Sequence, residues 1–359
     1  LGGFHAQKLA AREDVALKAV VDPMAENRDR VAAECHTEAR ADFAGLFDQI
    51  DAAVIAAPTS LHHRVACEFL EAGVHLLVEK PLCTTHAQAD ELTSIARRRG
   101  VVLQVGHVER FNPAFQAAVP HLNAPKYIEA SRANGFTFRS TDVGVVLDLM
   151  IHDIDLVLSL VRSPVRKVEA LGVSVLGGHE DIANARLEFE SGCVASLSAS
   201  RVSYEPVRRM RAWSARAFAD IDFATRTATL VRPSETLLRR RFDVDALTPK
   251  EVEYQRQHFA DEHLPQEKLT LDAVDALALE INDFIGAIRT ASEPLVNGEA
   301  GRDALGVAEQ ILSRIHDHCW DASIDGPTGP LALPRRHVIP APHFDLAGIQ
   351  SPIVREKAG

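Results

Sequence analysis

The sequence has no apolar run of the length, about 18 residues, that a membrane-spanning helix requires. Its nearest approach, residues 144–161, carries Asp148, His152, Asp153 and Asp155 and so reads as a helix inside a folded domain. No signal-peptide pattern is recognisable. There is no Cys-x-x-Cys pair; the five cysteines, at 35, 67, 83, 193 and 319, are scattered. That distribution suits a reducing compartment and argues against a disulfide framework or a thiolate zinc site. Long basic runs are missing too, and the formal charge is −11, which makes a nucleic-acid groove a poor expectation. These absences together lead to the expectation of a cytoplasmic protein acting on small molecules, with no membrane or nucleic-acid partner. What remains is ordinary globular composition, 46% hydrophobic and 25% charged over 359 residues. A chain of that length forms about two domains, each able to bury its own core.

The first third alternates. Apolar stretches at 16–21, 51–57, 74–78 and 101–105 read as strands, and 61–72 and 85–99 read as the helices between them. Strands separated by such helices indicate βαβ units and a doubly wound parallel sheet. A dinucleotide-binding unit begins with a strand, then Gly-x-Gly-x-x-Gly, then a helix, with an acidic residue ~20 positions further on. Here Gly2 fits the third glycine and Asp22 the acidic residue, so the first strand and two glycines are expected to precede Leu1. After about residue 118 the pattern changes. Stretches at 127–133, 167–175, 183–189, 194–202, 209–213 and 225–231 read as strands of a large, mainly antiparallel sheet. Residues 239–268 are charged and read as a long excursion, 271–290 and 301–319 as closing helices, and the Pro-rich tail from 326 as extended. The expected division is a nucleotide-binding domain at 1–118, an α+β domain at 119–325 and the tail at 326–359.

Chemistry concentrates at two places. Glu79-Lys80-Pro81 follows the apolar strand 74–78, and ligands in open α/β sheets bind beyond the carboxyl ends of strands. Lys80 either pairs with Glu79 in solvent or faces a ligand; the strand end favours the ligand. In the helix at 144–161, Val146, Met150, Ile154, Val157 and Val161 share one face. Asp148, His152 and Asp155 fall within a stripe of about 60° on the other. A solvated face accounts for the aspartates. It does not account for a histidine flanked one turn each way by carboxylates, which would raise its pKa and fix its tautomer. A base near neutral pKa and a cation on the oxygen are what oxidation of a secondary alcohol needs. His152 is the expected base, Lys80 the oxygen donor, and Asp148 a partner of His152 or a substrate contact. Asp153, near the apolar edge, is expected to bond buried backbone.

The order of several short motifs resembles the Gfo/Idh/MocA oxidoreductases. They are Leu1-Gly2, Asp22-Pro23, Ala57-Pro58-Thr59-Ser60-Leu61-His62, Glu79-Lys80-Pro81 and Asp148-x-x-x-His152-x-x-Asp155. The resemblance implies a Rossmann domain, an oligomer-forming antiparallel sheet that makes a homodimer or homotetramer, and tightly held NAD or NADP acting on sugars or cyclitols. Val105-Gly106-His107-Val108-Glu109-Arg110-Phe111-Asn112-Pro113 and Ser200-Arg201-Val202-Ser203 look like the family branch that oxidises C3 of UDP-N-acetylglucosamine. A free-sugar or cyclitol dehydrogenase, and a non-catalytic NAD-binding sensor, stay open as alternatives.

On this footing Gly2, Pro58, Thr59, His62, Glu79 and Lys80 are cofactor contacts. Asp22 is either a turn residue or the carboxylate on the ribose diol, which would favour NAD over NADP. Thr59 is alternatively a helix cap and His62 a surface histidine. Arg110 and Asn112 are substrate contacts or linker polarity. Arg201, Arg208, Arg209 and Arg211 make a candidate diphosphate clamp, although Arg209 and Arg211 share a strand face that suits solvent or an interface equally. No metal is expected: His62 and His63 point apart on a helix, and His316-x-His318-Cys319 reads as a frayed helix end.

Overall fold

The computed structural model describes residues 1–138, 143–176, 179–271 and 274–318; the Pro-rich tail and Cys319 lie outside them. The first third is α1 (Gly2–Ala10), β1 (Ala19–Val21), α2 (Ala25–Glu34), β2 (Glu38–Arg40), β3 (Ala52–Ile55), α3 (Thr59–Glu71), β4 (His75–Glu79), α4 (His86–Arg99) and β5 (Leu103–Gly106). Every pairing among these strands is parallel, in two pieces, β1–β2 and β3–β4–β5. β4 is an apolar run because both its faces are covered. Leu77 packs against Ile281, Phe284 and Ile285, while Leu76 and Val78 face the main core. α4 shows why these helices form where they do. Thr85 accepts from the Gln88 amide at its start, Arg97, Arg98 and Arg99 sit in its last turn, and Gly100 closes it at φ 67°.

The rest begins with α5 (Pro113–Ala118), β6 (Tyr127–Ala133) and a π-helical turn (Val146–Met150) that runs into α6 (Ile151–Val161). It continues through β7 (Val165–Val173), β8 (Ile182–Phe189), β9 (Val194–Ser200), β10 (Val207–Trp213), β11 (Phe218–Asp222) and β12 (Thr227–Val231). α7 (Glu235–Leu238), α8 (Pro249–His263), β13 (Gln266–Lys268), α9 (Ala276–Thr290) and α10 (Gly298–Asp317) close it. The eight strands form one sheet in the order β13-β12-β11-β10-β6-β9-β8-β7, antiparallel except between β6 and β9. One face is apolar, with Ile128, Ala130, Leu187, Leu197, Met210 and Leu230 buried, and the other is polar. α10 packs against α4, α6 and β7 and so clamps the parallel strands to the large sheet. Its Gly301 permits the approach, since a Cβ there would lie 2.5 Å from a Val105 methyl. Among the described residues no helix is long and apolar enough to cross a membrane.

The mixed fold follows the sequence expectation, with several local differences; α2, β2 and β13 carried no expectation. β11 had no strand signal of its own, and the charged excursion contains α8. That helix buries none of its residues, so it has no apolar stripe to read. Its start was legible in a capping box: Thr248 accepts from the Glu251 amide, and Glu251 accepts from the Thr248 amide.

A buried ion network fixes α6 to the sheet. Arg132 on β6 donates to Glu109 Oε1 at 2.8 Å and to both oxygens of Asp153 at 3.0 and 3.3 Å. Arg132 and Asp153 are 4% and 2% exposed, so neither charge has water to fall back on. Asp153 thus bonds a guanidinium rather than backbone, and Val146, Met150, Ile154 and Val157 are buried as expected. Removing one partner of such a network strands the others at a cost of ~3–5 kcal/mol. Arg132→Met should lower unfolding stability by about that amount, measured by urea titration. A loss below about 1 kcal/mol, the worth of a surface pair, would show that the network does not hold the helix.

Candidate active site

A cavity of about 220 Å³ opens where β3, β4, α1 and the π-helical turn meet. Leu1, Thr59, Lys80, Leu147 and Asp148 are among the residues that line it. It lies at strand carboxyl ends, as expected. α1 and α3 both start at this cavity, with Leu1 and Pro58 as N-caps, and no side chain caps either helix. Their uncapped amides and dipoles favour an anion there, so the site fits the pyrophosphate of a dinucleotide. Gly2 opens α1, and Thr59 is the first residue of α3 rather than its cap. Asp22 directly follows β1; its Oδ1 accepts from the Met24 amide at 2.8 Å, which leaves Oδ2 free for another donor.

Lys80 is held from two sides. Its amide donates to Glu79 Oε2, and its ammonium donates to the Asp148 carbonyl at 2.7 Å and to Asp148 Oδ1 at 3.0 Å. An ammonium carries three protons, so one is left for a ligand oxygen. Asp148 is therefore the partner of Lys80, and no hydrogen bond joins it to His152. Glu79 points inward, 2.8 Å from His5 Nε2. Burial pushes its pKa up, but the His5 hydrogen bond, with the His5 and Lys80 charges, outweighs this and the net shift is downward.

His152 departs most from expectation. Burial, then the charges of Lys80 and Arg132, hold its pKa well below the ordinary histidine range. The flanking carboxylates do not raise it. Asp148 is bonded to Lys80, and Asp155, 2% exposed, receives Arg110 at 3.2 Å. Asp155 thus belongs to the interior rather than to a solvated stripe. The π-helical turn shifts the residues before 151 off the wheel of an α-helix. His152 is only partly buried, while its Nδ1 is fully so, which leaves Nε2 as the accessible nitrogen.

Other candidates are structural. His62 is 1% exposed, with Nδ1 2.9 Å from the Pro81 carbonyl and Nε2 2.8 Å from the Ala57 carbonyl. It staples two strand exits together and keeps no nitrogen for a cofactor. Asn112 spends both side-chain atoms: Oδ1 accepts from the Ala114 amide, and Nδ2 donates to Glu109 and the Phe223 carbonyl. It is not available to a substrate. Arg110 is bound to Asp155 and to the Leu295 carbonyl. Arg201 is buried against Asp181 at 2.6 Å, and Arg209 and Arg211 pair with acidic residues across the open face of the sheet. The four arginines therefore form no clamp. Arg208 differs: it alternates onto the face of Met210, its charge acts on His152, and its side chain has no ion-pair partner among the described residues.

Sequence reading missed His5, Arg132, Asp181 and Glu180, which receives the Val146 amide at the π-helical turn. All are long-range partners without a spacing signal. One described trio has metal-ligand character, His63, Cys67 and Glu91. His63 is bonded to Glu91 at 2.8 Å, and burial, with nearby carboxylates, pushes the Cys67 thiol up to about 11. A protonated thiol is a poor ligand, so hydrogen bonding accounts for the trio.

His107 is also held below the ordinary histidine value by burial, opposed by Asp155. A histidine kept neutral in the fold but free to protonate when unfolded stabilises above its unfolded pKa, about 6.5. That stability is lost as pH falls below it. Burial raises Asp153, Glu180 and Glu280 instead, and these act in the opposite sense, losing stability as pH rises. The clean test is a difference. Between pH 7.5 and 5.5, His152→Asn should lose less urea stability than wild type, by up to about 1.4 kcal/mol per pH unit. Parallel profiles would show that His152 is not held neutral.

Fold and site together define a dinucleotide-dependent oxidoreductase. The chain belongs to the Gfo/Idh/MocA family: residues 1–107 match its oxidoreductase family with NAD-binding Rossmann fold, and residues 106–216 its C-terminal domain. UDP-N-acetylglucosamine 3-dehydrogenase of Acidithiobacillus ferrooxidans is 38% identical over 315 residues, 87% of this chain and 93% of that protein. A solved structure of that enzyme, GnnA, superposes with a TM-score of 0.75 at 36% identity, covering 87% of this chain and 93% of the other. The NAD-dependent scyllo-inositol 2-dehydrogenase of Bacillus subtilis is 30% identical over 222 residues, 56% of this chain and 65% of that protein.

Proposed function

We propose that the protein oxidises a secondary hydroxyl of a sugar nucleotide, C3 of UDP-N-acetylglucosamine, to a 3-keto sugar with NAD. The observation that carries this is an ammonium with a spare proton at the cavity, whose charge acts on an imidazole held neutral with Nε2 as its accessible nitrogen. Lys80 donates to the reacting oxygen and stabilises the developing alkoxide. His152 Nε2 removes the hydroxyl proton. Asp148 holds the ammonium in place. A bound nicotinamide supplies the hydride acceptor. The likeness to the Acidithiobacillus ferrooxidans enzyme over most of both chains supports the substrate. The cyclitol reading is supported by the shorter match to the inositol dehydrogenase. NAD and nucleotide sugars are cytosolic metabolites, so the reading implies the cytoplasm. It also leaves the polar face of the eight-stranded sheet for self-assembly into a homodimer or homotetramer.

Lys80→Met and His152→Asn should each retain NAD, read by fluorescence titration, and lose ~10²–10⁴-fold in kcat. A variant with near-normal kcat removes that residue from the chemistry.

Specificity is read with UDP-N-acetylglucosamine, free N-acetylglucosamine and myo-inositol side by side, each with NAD and with NADP. The expected order puts the nucleotide sugar with NAD first, because Asp22 would oppose a 2′-phosphate. Arg208→Ala should raise KM for the nucleotide sugar about 10-fold or more, the scale of one charge-assisted contact, and leave the free sugar unaffected. Equal turnover of the cyclitol would return the assignment to the broader family.

A further inference from the structure

One buried histidine in the site has no assigned work. His107 directly follows β5 and is 1% exposed, and neither of its ring nitrogens has a hydrogen-bond partner. Its ring stands edge-on to that of His152, centroids 6.1 Å apart and planes at 85°. Two more buried polar atoms nearby are also without partners, His152 Nδ1 and Asp155 Oδ2. Buried polar atoms left unpaired are destabilising, and interiors relieve such clusters with ordered water. Four of them between the end of β5 and α6, with two imidazoles and a carboxylate as partners, are the setting in which a water is held.

His152 is a neutral ring and carries a single proton. If that proton sits on Nε2, the accessible nitrogen cannot act as a base. If it sits on Nδ1, it can. The charges that act most on the two rings are those of Lys80, Arg132, Arg208 and His107 on His152, and of Asp155, Arg110, Lys80 and Glu79 on His107. No carboxylate is hydrogen-bonded to His152 Nδ1 directly. We propose that His107 is a positioning residue: through one buried water it accepts the hydrogen of His152 Nδ1–H and so fixes Nε2 as the proton-accepting nitrogen. Asp155, anchored by Arg110, orients His107 in turn. This is the base-and-orienter arrangement extended by one water. The inference rests on His152 as the base.

The test reads the tautomer directly. Full-length protein carrying ¹⁵N-histidine is examined by long-range ¹H–¹⁵N NMR at pH 7.5, with the His152 signals assigned by their loss in His152→Asn. The expected result is a protonated Nδ1 and a bare Nε2 in wild type. In His107→Leu the His152 signals should shift toward the other tautomer, kcat should fall about 10-fold or more, and KM should change little. His107→Gln, whose amide can accept from the water, should recover most of the rate. A wild-type His152 carrying its proton on Nε2 overturns the proposal and needs no variant to fold. So does His107→Leu with unchanged kcat and tautomer. If His152→Asn itself keeps near-normal kcat, the catalytic reading fails instead, and the two failures are told apart.

Discussion

The site exists because Arg132 is buried between two carboxylates. Its guanidinium joins β6 to Glu109, just beyond β5, and to Asp153 on α6. Two negative charges against one positive would be a poor arrangement in water, where each ion is better solvated alone. In the interior the desolvation of all three has already been spent, and each depends on the others. The next residue after Asp153 toward the N-terminus is His152. Whatever fixes Asp153 fixes the imidazole proposed as the base. The same network therefore stabilises the junction of the two sheets and sets the position of the imidazole within it.

Lys80 shows a similar economy. It leaves the end of β4, a strand buried from Leu76 to Glu79, and is met by Asp148 from the other side of the cleft. Glu79, one residue earlier, turns inward to His5 and accepts the Lys80 amide. Gly106, its register partner on β5, leaves room for that carboxylate: a Cβ there would lie 2.9 Å from Glu79 Oε2. Backbone and side chain of Lys80 are thus fixed independently, the former by the parallel sheet and the latter by the π-helical turn. A Lys80 held by two different layers depends on α10, which packs on both.

How much of this could be read from the sequence depends on the distance over which each feature is decided. β4 and α4 were legible because apolar runs, a threonine cap and a closing glycine are local signals. Lys80 was legible because strand ends in open sheets are where ligands go. α8 was hidden because it buries nothing, and the helical wheel for Asp148 and His152 failed because a π-turn intervenes. The environment of His152 was misread for a different reason. Sequence showed the carboxylates one turn away, whereas the controlling charges, Lys80, Arg132 and Arg208, come from other elements. His62 and Asn112 looked like ligands because polar residues near strand ends often are. Only the structure shows that their polar atoms are already used by backbone groups and, for Asn112, by the Glu109 carboxylate as well.

Under the proposed reading, electrostatics connect the base to the substrate. A chain of formal charge −11 repels a dianionic ligand at a distance, so attraction has to be local. In the cleft Arg110 and Arg132 are committed to buried carboxylates, and Lys80 is largely committed to Asp148. Arg208 is the cation in this group without a described ion-pair partner. It is therefore the charge available to a phosphate under the proposed reading. That same cation, with Lys80 and Arg132, also disfavours protonation of His152. The positive charge around the imidazole thus does two things at once. It offers an anion a place to sit, and it keeps the imidazole beside it unprotonated and able to take a proton. A carboxylate in the place of Arg208 would weaken both effects, which is why an acidic flank for the base, reasonable from local spacing alone, is the less workable arrangement for an anionic sugar.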